Sequence, residues 1–232
     1  MSTHFSKDFL EFFKELAANN HKDWFDENRK RYEAEIKKPF EVFTQDAIDA
    51  LAKVNPELAS LDYKKCIFRI NRDIRFSKDK SPYKTNMSGY YKRAGASRRG
   101  SYFFSIEPGG QTLVGGGFYG PNKEDLFRIR KEFEIDGTMI DKITSDKSFI
   151  KHFGELKGNG VATAPRNFDK DHPNIKWIRM KQFYAFRSFT DEEVLDSSFP
   201  KEMMDTFGAI RPFFDYMSEV LTTDINGVSV VE

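Results

Sequence analysis

Three arginines at spacing three, Arg69, Arg72 and Arg75, lead into Lys78, Lys80 and Lys84 within FRINRDIRFSKDKSPYK, Phe68 to Lys84. Guanidinium and ammonium groups at that density repel one another unless an anion, a carboxylate or solvent answers them. Planar arginines bind phosphate or carboxylate in bidentate fashion, and lysines add less directional charge. The chemistry this stretch suggests is therefore capture of an anionic, phosphate-bearing ligand. Asp73 stands two residues from Arg75 and can orient it, Asp79 lies among the lysines, and Tyr83 sits beside Pro82. The expected ligand-binding set is Arg69, Arg72, Asp73, Arg75, Lys78, Lys80, Tyr83 and Lys84. The charge is local: residues 64 to 99 hold twelve Lys and Arg against two Asp, a net of +10, so a chain of formal charge +1 carries −9 elsewhere.

Two competing readings use the same residues. Asp73 and Asp79, with Glu107, are hard oxygen ligands of the kind that hold Mg2+ against a phosphate. In that reading the chain is a metal-assisted phosphoester hydrolase whose catalytic candidates are Asp73 as a metal ligand and His172 or Tyr83 moving protons. The opposing charge of the neighbouring arginines disfavours a cation there. The third reading is a scaffold in which the arginines form a structural ion-pair network and the lysines are merely solvated. Gly115, Gly116 and Gly117, followed by Gly120 and a helix start at Asn122, offer bare amides to an anion, yet lack the GK[ST] of a Walker loop and read equally as a bulge and turn. Cys66 reads as a buried thiol, Trp24 and Phe25 as core.

The elements that must position these groups follow from periodicity. Phe9, Phe12, Phe13 and Leu16 recur at helical spacing after a Ser6 cap, with Asn19 and Asn20 as the stop. A second helical pattern runs through Trp24, Phe25, Asn28, Tyr32 and Ile36 and resumes after Pro39 as Phe40, Phe43, Ala47 and Leu51. From Cys66 to Phe76 the pattern alternates, which predicts a strand with Phe68, Ile70 and Ile74 on one face and Arg69, Asn71, Asp73 and Arg75 on the other. On such a strand Arg72 would point among apolar neighbours and need a carboxylate or the end of the sheet. Further strands are expected from Tyr90, from SYFFSIEP and QTLVGGGFY joined at Gly109 and Gly110, and over residues 182–189. Lys92, Arg93, Arg98 and Arg99 in KRAGASRRG would extend the basic patch. Asn122 caps a helix through Leu126, Ile129 and Phe133, another follows through Met139, Ile140 and Ile143, and residues 156–174 read as a long connection. A Thr190–Glu193 capping box precedes two final helices, one ending near Ile210 and one running from Phe213 to Leu221. Helices, then strands, then helices describe an α+β fold, a central and mainly antiparallel sheet with helices packed from both ends of the chain.

At 232 residues, with 39% hydrophobic and 31% charged side chains and 24 Phe, the chain is expected to be one globular domain over residues 1–232. The amphipathic start reads as a helix and not a signal peptide, no stretch reaches the ~18 apolar residues of a membrane span, and one cysteine suits a reducing interior. The expectation is a cytoplasmic protein with a phosphorylated small molecule or a nucleic acid as partner, and no membrane.

The stretch RINRDIRFSKDKSPY resembles the RxxRDxRFxxxKxxY signature of a mainly bacterial family, domain of unknown function 2461, and matches it at Arg69, Arg72, Asp73, Arg75, Phe76, Lys80 and Tyr83. NNHKDWFDENRKRYE and the later DHP are similar to that family too, so the resemblance covers nearly the whole chain. It implies membership and carries no activity, substrate or cofactor.

Overall fold

The computed structural model describes residues 4–93, 100–224 and 227–230. Its first described stretch is helical: α1 Lys7–Ala18, α2 Lys22–Glu27 and a short α3 Arg29–Arg31, which runs through a π-helical turn at Tyr32–Lys37 into α4 Lys38–Ala52. The Ser6 hydroxyl accepts the Phe9 amide at 3.2 Å and starts α1, whose buried stripe is Phe9, Phe12, Phe13 and Leu16. The π turn has a local cause. Pro39 has no N–H to give the Glu35 carbonyl and its ring crowds that group, so the preceding turn widens and Lys38 N–H donates five residues back, to Glu33. After a 3-10 turn at Pro56–Ser60 comes the short α5, Tyr63–Cys66.

Four strands, β1 Met87–Lys92, β2 Ser101–Ile106, β3 Thr112–Phe118 and β4 Phe183–Phe189, form one antiparallel sheet in the order β1-β2-β3-β4. Between β3 and β4 lie α6 Lys123–Ile135, α7 Thr138–Ser145, α8 Lys147–Phe153 and α9 Ile175–Ile178; α10 Asp191–Leu195 and α11 Phe199–Thr222 end the fold. The architecture is the α+β arrangement that the order of elements predicts. Gly109 and Gly110 take φ of 77° and 70° at the β2–β3 turn, a backbone only glycine adopts without cost. Among the described residues no helix is long and apolar enough to cross a membrane.

Contacts group the chain into two compact units. The first comprises Met1–Tyr91, Phe103–Val114 and Ser188–Asp205. Its core is aromatic: Phe104 of β2 stacks on Phe40 at 5.3 Å and on Tyr91 at 5.2 Å, and Phe43 stacks on Phe199 at 5.8 Å. The second comprises Lys92–Tyr102, Gly115–Arg187 and Thr206–Glu232. There Tyr102 packs on Phe207 and Phe214, and Phe133 on Phe183.

Two expectations are corrected. The chain from Phe199 to Thr222 is one helix and not two, with Pro212 inside it. The carbonyl that the Pro212 ring crowds is that of Gly208, four residues back, where no Cβ hinders a local adjustment, and the apolar stripe from Met203 to Leu221 continues across the break. Cys66–Phe76 is not a strand of the sheet: Tyr63–Cys66 is helical, and beyond it only isolated bridges form, Ile67 with Gly89 and Asn71 with Tyr83. The ladder stops because Asp73 Oδ1 accepts the Arg75 amide at 3.2 Å, a local turn that takes the place of cross-strand pairing. Phe68 and Phe76 are consequently exposed, Phe76 at 95%.

Candidate functional site

Residues 70–72 and 82–84 pair across a closed loop. The Arg72 amide donates to the Pro82 carbonyl at 2.9 Å and the Lys84 amide to the Ile70 carbonyl at 2.8 Å. Between them both acids of the loop are answered from within it. Arg72 Nη1 donates to Asp79 at 2.5 Å and to the Ser81 carbonyl at 3.0 Å, which supplies the carboxylate that Arg72 was expected to need. Asp73 orients Arg75 as expected, accepting from Nε at 3.0 Å and from Nη2 at 2.7 Å. Lys80 donates to the Ile74 carbonyl at 3.0 Å. The Arg75 guanidinium holds the Asp73 carboxyl below its usual range. Hydrogen bonds from the Ser81 hydroxyl and amide, with Arg72, take Asp79 down to about 2.

That depression has a measurable sign. The ordinary carboxyl value is 3.8, so the Asp79 clasp is complete above it and is lost progressively as pH falls toward about 2. The Ser81 amide resonance, followed by NMR from pH 5 to 1.5, should move with a midpoint near the lower value. A midpoint near 3.8 would show that the clasp is absent in solution.

Arg69 stands apart. Among the described residues its guanidinium has no hydrogen bond or ion pair, and it lines a hollow of about 290 Å3 with Ile70, Asn71, Tyr83, Phe25, Arg29, Tyr32, Glu33 and Lys37. All of these belong to the first unit. The hollow is assembled where the segment after α1 meets the loop. Asn20 pairs with the Tyr83 backbone, Nδ2 donating to its carbonyl at 3.0 Å and Oδ1 accepting its amide at 3.1 Å. This side-chain amide takes the place of a neighbouring strand. The Tyr83 ring then stacks on Phe25 at 4.1 Å and 17°. The Arg29 guanidinium lies 5.5 Å over the other partner of that stack, Phe25, and pairs with Asp26 at 2.5 Å. The π turn brings Tyr32, Glu33 and Lys37 to the wall, with Lys37 and Glu33 paired at 2.9 Å. Burial pushes the Tyr32 phenol up to about 12 and raises that of Tyr83, so both are neutral at physiological pH, and the Tyr32 hydroxyl donates to the Met87 sulfur at 3.8 Å.

Of the expected site residues, then, only Arg69 and Tyr83 line the hollow. Arg72, Asp73, Arg75, Lys78, Lys80 and Lys84 do not. Lys84 lies 5.2 Å over the Phe68 ring, with its pKa lowered by burial and by Arg69. Asp73 and Asp79, the candidate Mg2+ ligands, are engaged by Arg75 and Arg72, and Glu107 accepts from Thr85 and Asn86. Among the described residues no group of three or more metal-ligating side chains converges. His172 belongs to the second unit, where its Nδ1 accepts the Asn174 amide at 3.1 Å in a turn. The glycines of β3 serve the sheet: a Cβ on Gly115 would lie 2.0 Å from the Ala185 carbonyl oxygen, and one on Gly117 2.2 Å from that of Phe183. Of the basic tip, Arg93 pairs with Asp215 and Arg98 and Arg99 lie outside the described residues. The Cys66 thiol is buried and its pKa raised by that burial. Arg29, Glu33 and Lys37 were missed because helical periodicity reports which side of a helix is apolar and not which distant loop its polar side meets.

The family described as conserved hypothetical protein (DUF2461) matches residues 8–216. The chain belongs to the DUF2461 family. Both walls of the hollow, residues 25–37 and 69–83, fall inside the DUF2461 match, as does the whole self-clasped loop. No curated protein and no solved structure matches the chain.

Proposed function

We propose that the hollow beside Arg69 binds a small phosphate-bearing anion. The observation that carries this reading is a guanidinium that makes no hydrogen bond or ion pair among the described residues, at the edge of a concave, aromatic-walled space; Asp73, bonded to Arg75, acts on it only through space. Arg29 and Lys37 reinforce the positive field, and each can turn from its surface carboxylate to a better-placed anion because exposed ion pairs are weak. Arg69 supplies bidentate recognition, and the neutral Tyr83 phenol, with the Tyr32 side chain as wall, completes a pocket that mixes apolar wall with few polar groups. The volume lies at the lower end of the range for ligand pockets, which favours a compact phosphomonoester such as a mononucleotide over a polymer lying in the hollow. The ion pairs of Arg72 and Arg75 are assigned to holding the loop. Hydrolysis through Asp73 and Asp79 is the lesser reading, because both carboxylates are already engaged. The one cysteine, free and buried, supports the reading of a cytoplasmic protein.

Calorimetric titration with inorganic phosphate, ribose 5-phosphate and AMP at low salt tests the proposal. Arg69→Ala should weaken binding by about ten- to a hundredfold, the loss of a charge-assisted hydrogen-bond pair. Arg75→Ala should leave it unchanged. Binding that survives Arg69→Ala, or no binding by any of the three, would remove the hollow from consideration.

A further inference from the structure

The loop from Asp73 to Ser81 devotes five polar side chains to its own shape. Asp73 holds Arg75, Asp79 holds Arg72 and the Ser81 amide and hydroxyl, and Lys80 caps the Ile74 carbonyl. What this clasp presents outward is Phe76, at 95% the most exposed large apolar side chain among the described residues. Its ring lies 5.8 Å from the Arg75 guanidinium carbon, and Lys78, two residues on, is exposed and has no ion-pair partner among the described residues. Neither Phe76 nor Lys78 lines the hollow of Arg69.

We infer that Phe76 is a stacking platform for an unpaired base of single-stranded nucleic acid, with Lys78 and Lys80 contacting the adjoining phosphates. The inference goes beyond the proposed function and stands on a different part of the loop. A protein pocket would fit poorly, because the buried core of a protein interface is depleted of lysine and this ring is flanked by Lys78 and Lys80. A bilayer would fit poorly as well: one phenyl ring buries far less apolar surface than the single acyl chain that is itself only a marginal anchor. A base asks for one aromatic face, and every nucleotide brings a phosphate to the cations beside it. The internal ion pairs pre-order the loop, so little conformational entropy is lost when it is used.

The test is fluorescence anisotropy with 5′-hydroxyl oligonucleotides, dT20 and rU20, at 50 mM NaCl and above; these probes carry no terminal phosphate for the hollow. Phe76→Ala should weaken binding by about five- to a hundredfold with an unchanged salt slope, as loss of one stacked base does, and Phe76→Trp should preserve it. Lys78→Ala should instead flatten the dependence of log K on log salt by about 0.7. Arg69→Ala should change neither quantity. Affinity that is the same in Phe76→Ala, absence of binding at 50 mM NaCl, or Phe76-dependent sedimentation with anionic vesicles in place of oligonucleotide binding would each overturn the inference. Phe76 is exposed and has no packing role, so its variants keep the wild-type melting temperature, and a loss of binding cannot be assigned to unfolding.

Discussion

Phe104→Ala is expected to cost about 3–5 kcal/mol of unfolding free energy, the range for truncating a fully buried aromatic ring. A domain is stable by only about 5–15 kcal/mol, so this change alone brings the protein near its limit. The ring is completely buried, lies flat against Phe40 and Tyr91, and meets Phe43 edge-on at 5.9 Å. Gly89 exists in its present form because of that ring: a Cβ there would come within 2.8 Å of Phe104 Cε1 and 2.9 Å of the Cys66 carbonyl. Gly89→Ala should therefore destabilise by itself and cost less when Phe104 is already alanine, a coupling that urea denaturation of the four variants measures. Full relief is not expected, since the Cys66 carbonyl remains. Additive losses would show that ring and glycine do not share the space.

Tyr83→Ala has the second large effect, and it acts on two properties together. The ring is buried against Phe25 and is one wall of the hollow, so its removal should cost about 3–5 kcal/mol and, under the proposed function, abolish phosphate binding. Tyr83→Phe separates the two. It keeps the stack and the backbone bonds to Asn20 and should melt within a few degrees of the wild type, while any affinity lost reports the phenol as a ligand donor. Equal stability of Tyr83→Ala and the wild type, by thermal and urea unfolding, would refute the packing role.

Much of this fold was legible in the chain, for reasons that differ by element. Ser6, Asn122 and the Thr190–Glu193 box start their helices where expected because a cap is a bond between a side chain and an amide two or three residues away. The β2–β3 hairpin was legible for the same reason, since Gly109 and Gly110 determine it locally. The Cys66–Phe76 strand failed because alternation of apolar and charged residues records exposure and not hydrogen bonding. The Asx turn at Asp73 and the Asp79–Arg72 clasp outcompete a ladder that nothing in the alternation demands. The basic cluster contributes Arg69 and Tyr83 to the hollow, yet composition could not divide it. Which arginine has an acid depends on the fold of the loop, and only there do Arg72 and Arg75 part from Arg69.

The widened turn at Tyr32–Lys37 sets the phase of everything that follows it. Each residue of a helix advances the direction of its side chains by about 100°, so one additional residue inside a turn changes which side faces inward from that point on. Upstream, the chain aims Phe25 and Arg29 at the hollow; downstream, it aims Phe40, Phe43 and Ala47 at the core. A uniform helix of the same sequence could satisfy one of these orientations and not both. Removing a single residue from this turn would therefore act like a gear slipped by one tooth, swinging either the aromatic side out to water or the basic side away from Arg69.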